Sequence, residues 1–208
     1  YPLVTGVQTC ALPISPIQVV IVPIYKGDEQ KAAIDAKVNE IVSELKKVGV
    51  RVKYDDSDQA RPGWKFAEYE LKGVPLRLAL GARDLEQGVV ELARRDTREK
   101  KTISLEGVTA VLLKELEAIQ TNLFNRARIY RDEHITNANS WEEFVNLLDN
   151  KGGFIAAHWD GSPETEEAIK EKTKATIRCI PLDAKNETGF CVLSGKPSVQ
   201  RVLFARAY

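Results

Sequence analysis

Residues 18–24 read QVVIVPI, an almost unbroken apolar run of the kind that forms a short strand buried on both faces. The period then changes. Ala33, Ile34, Val38, Ile41, Val42 and Leu45 recur at helical spacing, with Asp28 placed to cap the helix. Gly49 stops it, and residues 50–54 are predicted as a second strand, so that strand, helix and strand form a βαβ unit. A short amphipathic helix over 64–72, ended by Gly73, leads to an apolar strand over 76–80. A hairpin follows, with strands at 89–94 and 100–103 around an Asp96-Thr97 turn. The pattern predicts an α/β domain with a mixed five-stranded sheet and flanking helices.

After Ser104, apolar positions at Val111, Leu112, Leu116, Ile119 and Leu123 predict a long helix running toward Tyr130, the natural boundary between two domains. Beyond it, Ser140 and Glu143 form a capping box for a helix over 141–148. A strand at 154–158 is followed by Ser162-Pro163, an N-cap with proline at the first helical position. Strands at 176–181, 190–193 and 202–207 close a smaller α+β domain. The predicted domains are 16–122 and 123–208. Residues 1–15 fit neither period, and 7–14 resemble translated sequencing-adapter DNA. They are read as a non-native or disordered leader that carries Cys10 with it.

Composition narrows the function classes. Lysine plus arginine and aspartate plus glutamate both number 30, a formal balance without the overall basicity usual for nucleic-acid proteins. Any RNA contact must therefore come from a local patch. Three scattered cysteines argue against a disulfide framework and fit a reducing, cytoplasmic setting. No apolar run is long enough to span a membrane, so no membrane partner is expected.

Residues 55–84 concentrate the chemistry. An acidic loop (Asp55, Asp56, Asp58) precedes Arg61-Pro62-Gly63. Aromatics Trp64, Phe66 and Tyr69 then lie among Glu68, Glu70, Arg77, Arg83 and Asp84. Sites that stack bases and read their edges use these residue types. The motif RPGWKF-E-ELKGVP-R---G-RDLE resembles the anticodon-binding domain of the prolyl-tRNA synthetases, a class II aminoacyl-tRNA synthetase family. The likeness extends from PIQVVIVPI near residue 16 through TKATIRCIP to GKPS and the closing FARAY. Carried over position by position, it implies that Phe66 stacks on an anticodon base. Glu70, Arg77, Arg83 and Asp84 would read guanine edges and hold phosphates. The competing reading of Phe66 alone is a core aromatic with charges on a solvated helix face. Arg94, Arg95, Arg98, Lys100 and Lys101, around the hairpin tip, are candidates for the tRNA backbone or simply a soluble loop.

The resemblance implies a parent proline–tRNA ligase that uses ATP with magnesium to form prolyl-adenylate and then charges tRNA(Pro). The partners would be that tRNA, a catalytic domain missing from this chain, and a second copy in a parent homodimer. The class II signature motifs are expected before Pro16, so the chain alone is expected to be inactive. Many relatives carry zinc on two cysteine pairs. Here His158-Trp159-Asp160-Gly161-Ser162 has no cysteine, and Cys191 is followed by Ser194, so zinc is not expected. Trp159 is expected to fill part of the vacated space. His134 and His158 are too far apart in sequence to support a nucleophilic triad, and no catalytic residue is assigned. In related enzymes the terminal tyrosine approaches the active site, and here that residue is Tyr208. The alternative is a stand-alone tRNA-binding or regulatory module without ligase activity. A small-ligand α/β domain is weakened because only Gly27 follows the first strand.

Overall fold

The computed structural model describes residues 15–182, 184 and 186–207. The leader proposed for 1–15, except Ser15, lies outside the described residues, as do Cys10 and the terminal Tyr208. The chain forms two compact units that part after Arg126.

The first unit is built from β1 (Val19–Ile24), α1 (Asp28–Lys47), β2 (Val52–Tyr54), α2 (Pro62–Leu71), β3 (Leu76–Gly81), α3 (Ala82–Glu86), β4 (Val89–Arg94), β5 (Lys100–Ser104) and the start of α4 (Val108–Glu133). Its five-stranded sheet runs β2-β1-β3-β4-β5. β1 pairs in parallel with both β2 and β3, reached through α1 and α2, while β3, β4 and β5 pair antiparallel through short connections. The expected mixed sheet is therefore present.

Strand alternation gives this sheet two unequal faces. Val19, Ile21, Leu76, Leu78, Leu80, Val90 and Leu92 point to one side and pack under Ile34, Val38, Ile41 and Leu45 of α1 and Leu112, Leu116 and Ile119 of α4. On the other side Val20 and Val22 meet Tyr69 and Val74, with Phe66 partly buried against them. There α2 rests on β1. Glu91, Ala93, Lys100 and Thr102, which share that side on β4 and β5, stay partly or fully exposed.

A buried charge pair holds α2 in place. Lys65 is 4 % exposed; its Nζ donates to the carbonyls of Asp55 (2.8 Å) and Ser57 (2.6 Å) and lies 3.2 Å from the Asp55 carboxylate. Tyr69 donates to the same carboxylate at 2.9 Å. Burial pushes the Asp55 carboxyl up, but the bonds from Tyr69 and Lys65 outweigh it and hold it below the ordinary range. The acidic loop is thus a strut as well as a charged surface.

The second unit contains β6 (Ile135–Ala138), α5 (Trp141–Asn150), β7 (Phe154–His158), α6 (Pro163–Thr173), β8 (Ala175–Cys179), β9 (Gly189–Phe190), β10 (Pro197–Ser198) and β11 (Arg201–Arg206). Its main sheet runs β6-β7-β11-β8 over a core in which Phe144 and Phe204 meet edge to face at 5.1 Å.

Several local expectations change. The α1 N-cap is Gly27, which is followed by Asp28 inside the first turn. Ser140 caps α5 as expected, but Glu143 reaches back to the Asn139 amide rather than to Ser140. The strand expected over 190–193 ends at Phe190, because the Cys191 amide turns to the Lys196 carbonyl and the Gly195 amide to the Cys191 carbonyl. Among the described residues no helix is long and apolar enough to cross a membrane.

Replacing Lys65 with methionine leaves Asp55 without its buried cation. It is expected to cost about 3 kcal/mol of unfolding free energy in urea titrations. Because the Asp55 pKa is depressed in the folded state, its contribution is present above about pH 4 and lost as pH falls through the folded value. Wild-type stability is therefore expected to decline on acidification below about pH 4, and the Asp55→Ala variant to decline less.

Candidate functional site

The uncovered half of the second sheet face is organised by strand register. Arg77 near the start of β3 pairs with Ala93 of β4, and Ala93 pairs with Lys100 of β5. An arginine, a methyl group and a lysine therefore lie side by side across three strands, with roughly 5 Å between neighbouring Cβ atoms. The small Ala93 leaves room for the arginine to lie along the surface.

Arg77 is largely buried, its side chain 10 % exposed. Its guanidinium carbon stands 3.6 Å from the centroid of the Phe66 ring. Nη1 donates to Oε1 of Glu91 at 3.2 Å, a diagonal contact since Glu91 itself pairs with Ala79. Burial pulls the Arg77 pKa below its ordinary value, and Glu91 offsets part of that shift. The group stays charged at neutral pH. Among the described residues its Nε and Nη2 donors have no hydrogen-bond partner. They belong to a residue that lines a cleft of about 180 Å³.

Phe66, Tyr69 and Glu70 of α2 form one wall of this cleft, and Arg94, Arg95, Arg98 and Lys100 of the hairpin form the other. Arg95 donates from Nε to the Glu70 carbonyl at 2.8 Å, tying the hairpin to the end of α2. Arg98, at the left-handed turn position (φ 62°), brings Nε within 3.9 Å of the Glu70 carboxylate. That pair is 85 % and 57 % exposed, so it is weak and easily exchanged for another partner.

Not all of the sequence candidates meet here. Phe66, Glu70 and Arg77 share the cleft with Arg95, Arg98 and Lys100. Arg94 borders it, but its guanidinium pairs with Asp96 at 2.8 Å and Glu115 at 2.9 Å. Lys101 also pairs with Glu115, at 2.5 Å. These two cations fasten the hairpin to α4. Arg83 and Asp84 sit on α3, beyond the far end of β3. Four strand residues separate that end from Arg77, roughly 13 Å. There Asp84 accepts from the Gly81 amide at 2.9 Å, and Arg83 is exposed. Sequence reading missed Glu91 and Ala93, and named Tyr69 only among the aromatics of the stretch. Alternation along β4 would have placed Glu91 and Ala93 opposite the core-facing Val90 and Leu92, but only the register brings them to Arg77.

The chemistry follows from the donors. The open edge of a guanidinium offers parallel N–H groups to a carboxylate, a phosphate or the O6/N7 edge of guanine. Glu70 at the same mouth repels a bare anion but accepts from N–H donors. A planar ligand with both an acceptor edge and a donor edge fits better than either charge alone. One face of Phe66 is already covered by Arg77, so the ring and the guanidinium form a stacked pair on which a further π-face can extend.

In the second unit the two stretches considered above for zinc ligation meet in one hydrogen-bonded cluster. Asp160 Oδ2 accepts from Ser194 Oγ at 2.7 Å and Thr165 Oγ1 at 3.0 Å. Its Oδ1 accepts from the Ser162 amide at 3.1 Å and the Ser162 hydroxyl at 2.9 Å. Burial pushes the Asp160 carboxyl up, but these hydroxyl and amide bonds prevail and hold it at about 2. Trp159 packs partly against the core and donates to the Ser162 carbonyl at 3.1 Å. His158 is buried with Nδ1 facing Ser198 at 3.1 Å, and Cys191 is buried. Among the described residues no group of three or more metal-ligating side chains comes together. This donor set does not fit a tetrahedral zinc site.

Comparison with known proteins places both units. Residues 18–115 match the family described as "Anticodon binding domain". Residues 141–208 match "Prolyl-tRNA synthetase, C-terminal". The chain is 57 % identical over 198 residues to a proline–tRNA ligase of Phocaeicola vulgatus, a match covering 94 % of this chain and 40 % of that protein. It is 56 % identical over 195 residues to the proline–tRNA ligase of Christiangramia forsetii, with the same coverage of each. A solved structure of Giardia lamblia prolyl-tRNA synthetase in complex with prolyl-adenylate superposes with a TM-score of 0.84 at 33 % identity, covering 94 % of this chain and 44 % of that one. The chain therefore spans about 40 % of the length of the curated relatives it matches.

The Asp160 cluster has a measurable consequence. Asp160→Ala removes the shared acceptor and is expected to cost about 1–3 kcal/mol in urea titrations. With a folded pKa near 2, that contribution stands above about pH 4 and fades between pH 4 and 2. The difference between wild type and variant is expected to close over the same interval.

Proposed function

We propose, for a chain that belongs to the prolyl-tRNA synthetase family, that the Phe66–Arg77 cleft binds a guanine of the tRNA(Pro) anticodon. The observation that carries this reading is the open guanidinium edge. A buried arginine is stacked on an aromatic ring, tied on one side, and left with donors that no described residue partners, beside a carboxylate and a rim of cations. Guanine supplies O6 and N7 to Arg77 and its N1–H and N2–H to Glu70. Arg95, Arg98 and Lys100 take the flanking phosphates, where each contact adds to affinity and to its salt dependence. Arg83 and Asp84, at the other end of β3, read a neighbouring anticodon nucleotide. Arg94 and Lys101 contribute to the positive potential but are held by Glu115 and Asp96.

For the whole protein the proposal is a proline–tRNA ligase. ATP with magnesium activates proline as an adenylate, and the prolyl group passes to tRNA(Pro). The high identity to ligases over nearly the full chain favours this over a stand-alone binding module. A cytoplasmic homodimer is the proposed setting of the parent enzyme. The residues described here bind and orient the tRNA, and adenylate formation is assigned to other parts of the parent.

The test is binding of a tRNA(Pro) anticodon stem-loop against one whose guanines are replaced. Arg77→Ala is expected to lose about 1–3 kcal/mol on the guanine RNA and to relax specificity. Phe66→Ala is expected to lose a similar amount, ~1–3 kcal/mol. The two losses should not add, since the side chains touch. Lys100→Ala should weaken both RNAs alike and flatten the salt dependence by about one phosphate contact. Equal binding of both RNAs by the unmodified chain would remove the anticodon assignment.

A further inference from the structure

We propose that Glu91 is a positioning residue for the Arg77 guanidinium and, through it, sets the cleft's preference for guanine. The inference rests on the anticodon reading of that cleft. A guanidinium on a flexible stem needs two constraints before one edge faces a ligand reproducibly. Stacking on Phe66 at 3.6 Å fixes its plane. The Nη1–Glu91 bond at 3.2 Å fixes its rotation within that plane, so that Nε and Nη2 are left for the cleft. Glu91 is the hydrogen-bonding partner of Arg77 among the described residues. The paired positions beside it, Ala79 and Ala93, carry methyl groups that cannot replace its bond.

The base chemistry makes orientation matter. Guanine presents two acceptors, O6 and N7, to a correctly turned fork. Adenine presents N7 beside an N6 donor, which clashes with the second N–H. A fork free to rotate in its plane loses that penalty while keeping its charge. Removing Glu91 also removes a negative charge from an RNA surface. The first effect favours the wrong base and the second strengthens both RNAs alike, so the signature is lost discrimination and not lost affinity. A purely structural role for Glu91 would lower binding of both RNAs together and leave their ratio alone.

The experiment uses the 208-residue chain and two anticodon stem-loops, one with guanine and one with adenine at the tested positions. Glu91→Ala is expected to lower the guanine-to-adenine affinity ratio about tenfold. Glu91→Gln still accepts through its amide oxygen and should keep most of the ratio. The unfolding midpoint should move little, because the Glu91 side chain is 40 % exposed and its ion pair adds little to stability. An unchanged ratio in Glu91→Ala, with the ratio abolished in Arg77→Ala, overturns the inference and leaves the cleft assignment standing. An unchanged ratio in both variants overturns the cleft assignment and the inference with it.

Discussion

The first unit depends on an imbalance in how its sheet is covered. One face lies under two helices, and the other has α2 resting on β1. A five-stranded sheet with apolar residues on both faces of every strand would need cover throughout. Here the pattern switches along the sheet. The residues of β1 are buried on both sides, whereas β4 and β5 alternate between more and less buried positions. The open half is therefore polar by composition, and the end of α2 forms its wall. A cleft results from ordinary sheet geometry without any special loop.

Within that cleft the arrangement of Arg77 solves a problem of burial. A desolvated guanidinium is costly unless it is paired. Glu91 and Phe66 supply one hydrogen bond and one stacked face, less than the full set of donors requires. The incomplete pairing is tolerable only because the remaining edge opens to the cleft, where water or a ligand can reach it. A site of this kind is ready for a planar acceptor because none of the described residues uses those donors. The exposed Arg98–Glu70 contact has the opposite character, since it can be exchanged at little cost.

The second unit makes a similar point with different chemistry. In this chain a carboxylate and three hydroxyls join two loops. Asp160 bridges Ser194 on one side and Ser162 and Thr165 on the other, and the N-cap of α6 belongs to the same network. Such a network needs no metal and loses strength only when the carboxylate is protonated.

The sequence by itself determined most of the elements and the class of the fold. The apolar run at β1, the helical spacing of α1 and α4, the glycine stops and the Ser162-Pro163 cap are local signals, and local propensity and patterning carried them. The short β6 and the helix α3 were not legible, because four or five residues offer too few periods to read. Of the site, the family motif named Phe66, Glu70 and Arg77, which the structure gathers in one cleft, and Arg83 and Asp84, which it sets at the far end of β3. It could not separate Lys100, on the cleft side, from Lys101, one residue on, facing the other side and paired with Glu115 of α4. Neighbouring strand residues point to opposite faces, and which face is covered is settled by tertiary packing. Register belongs equally to the tertiary structure: it brings Glu91 and Ala93 to Arg77 across β3 and β4, although some fourteen to sixteen residues separate them along the chain.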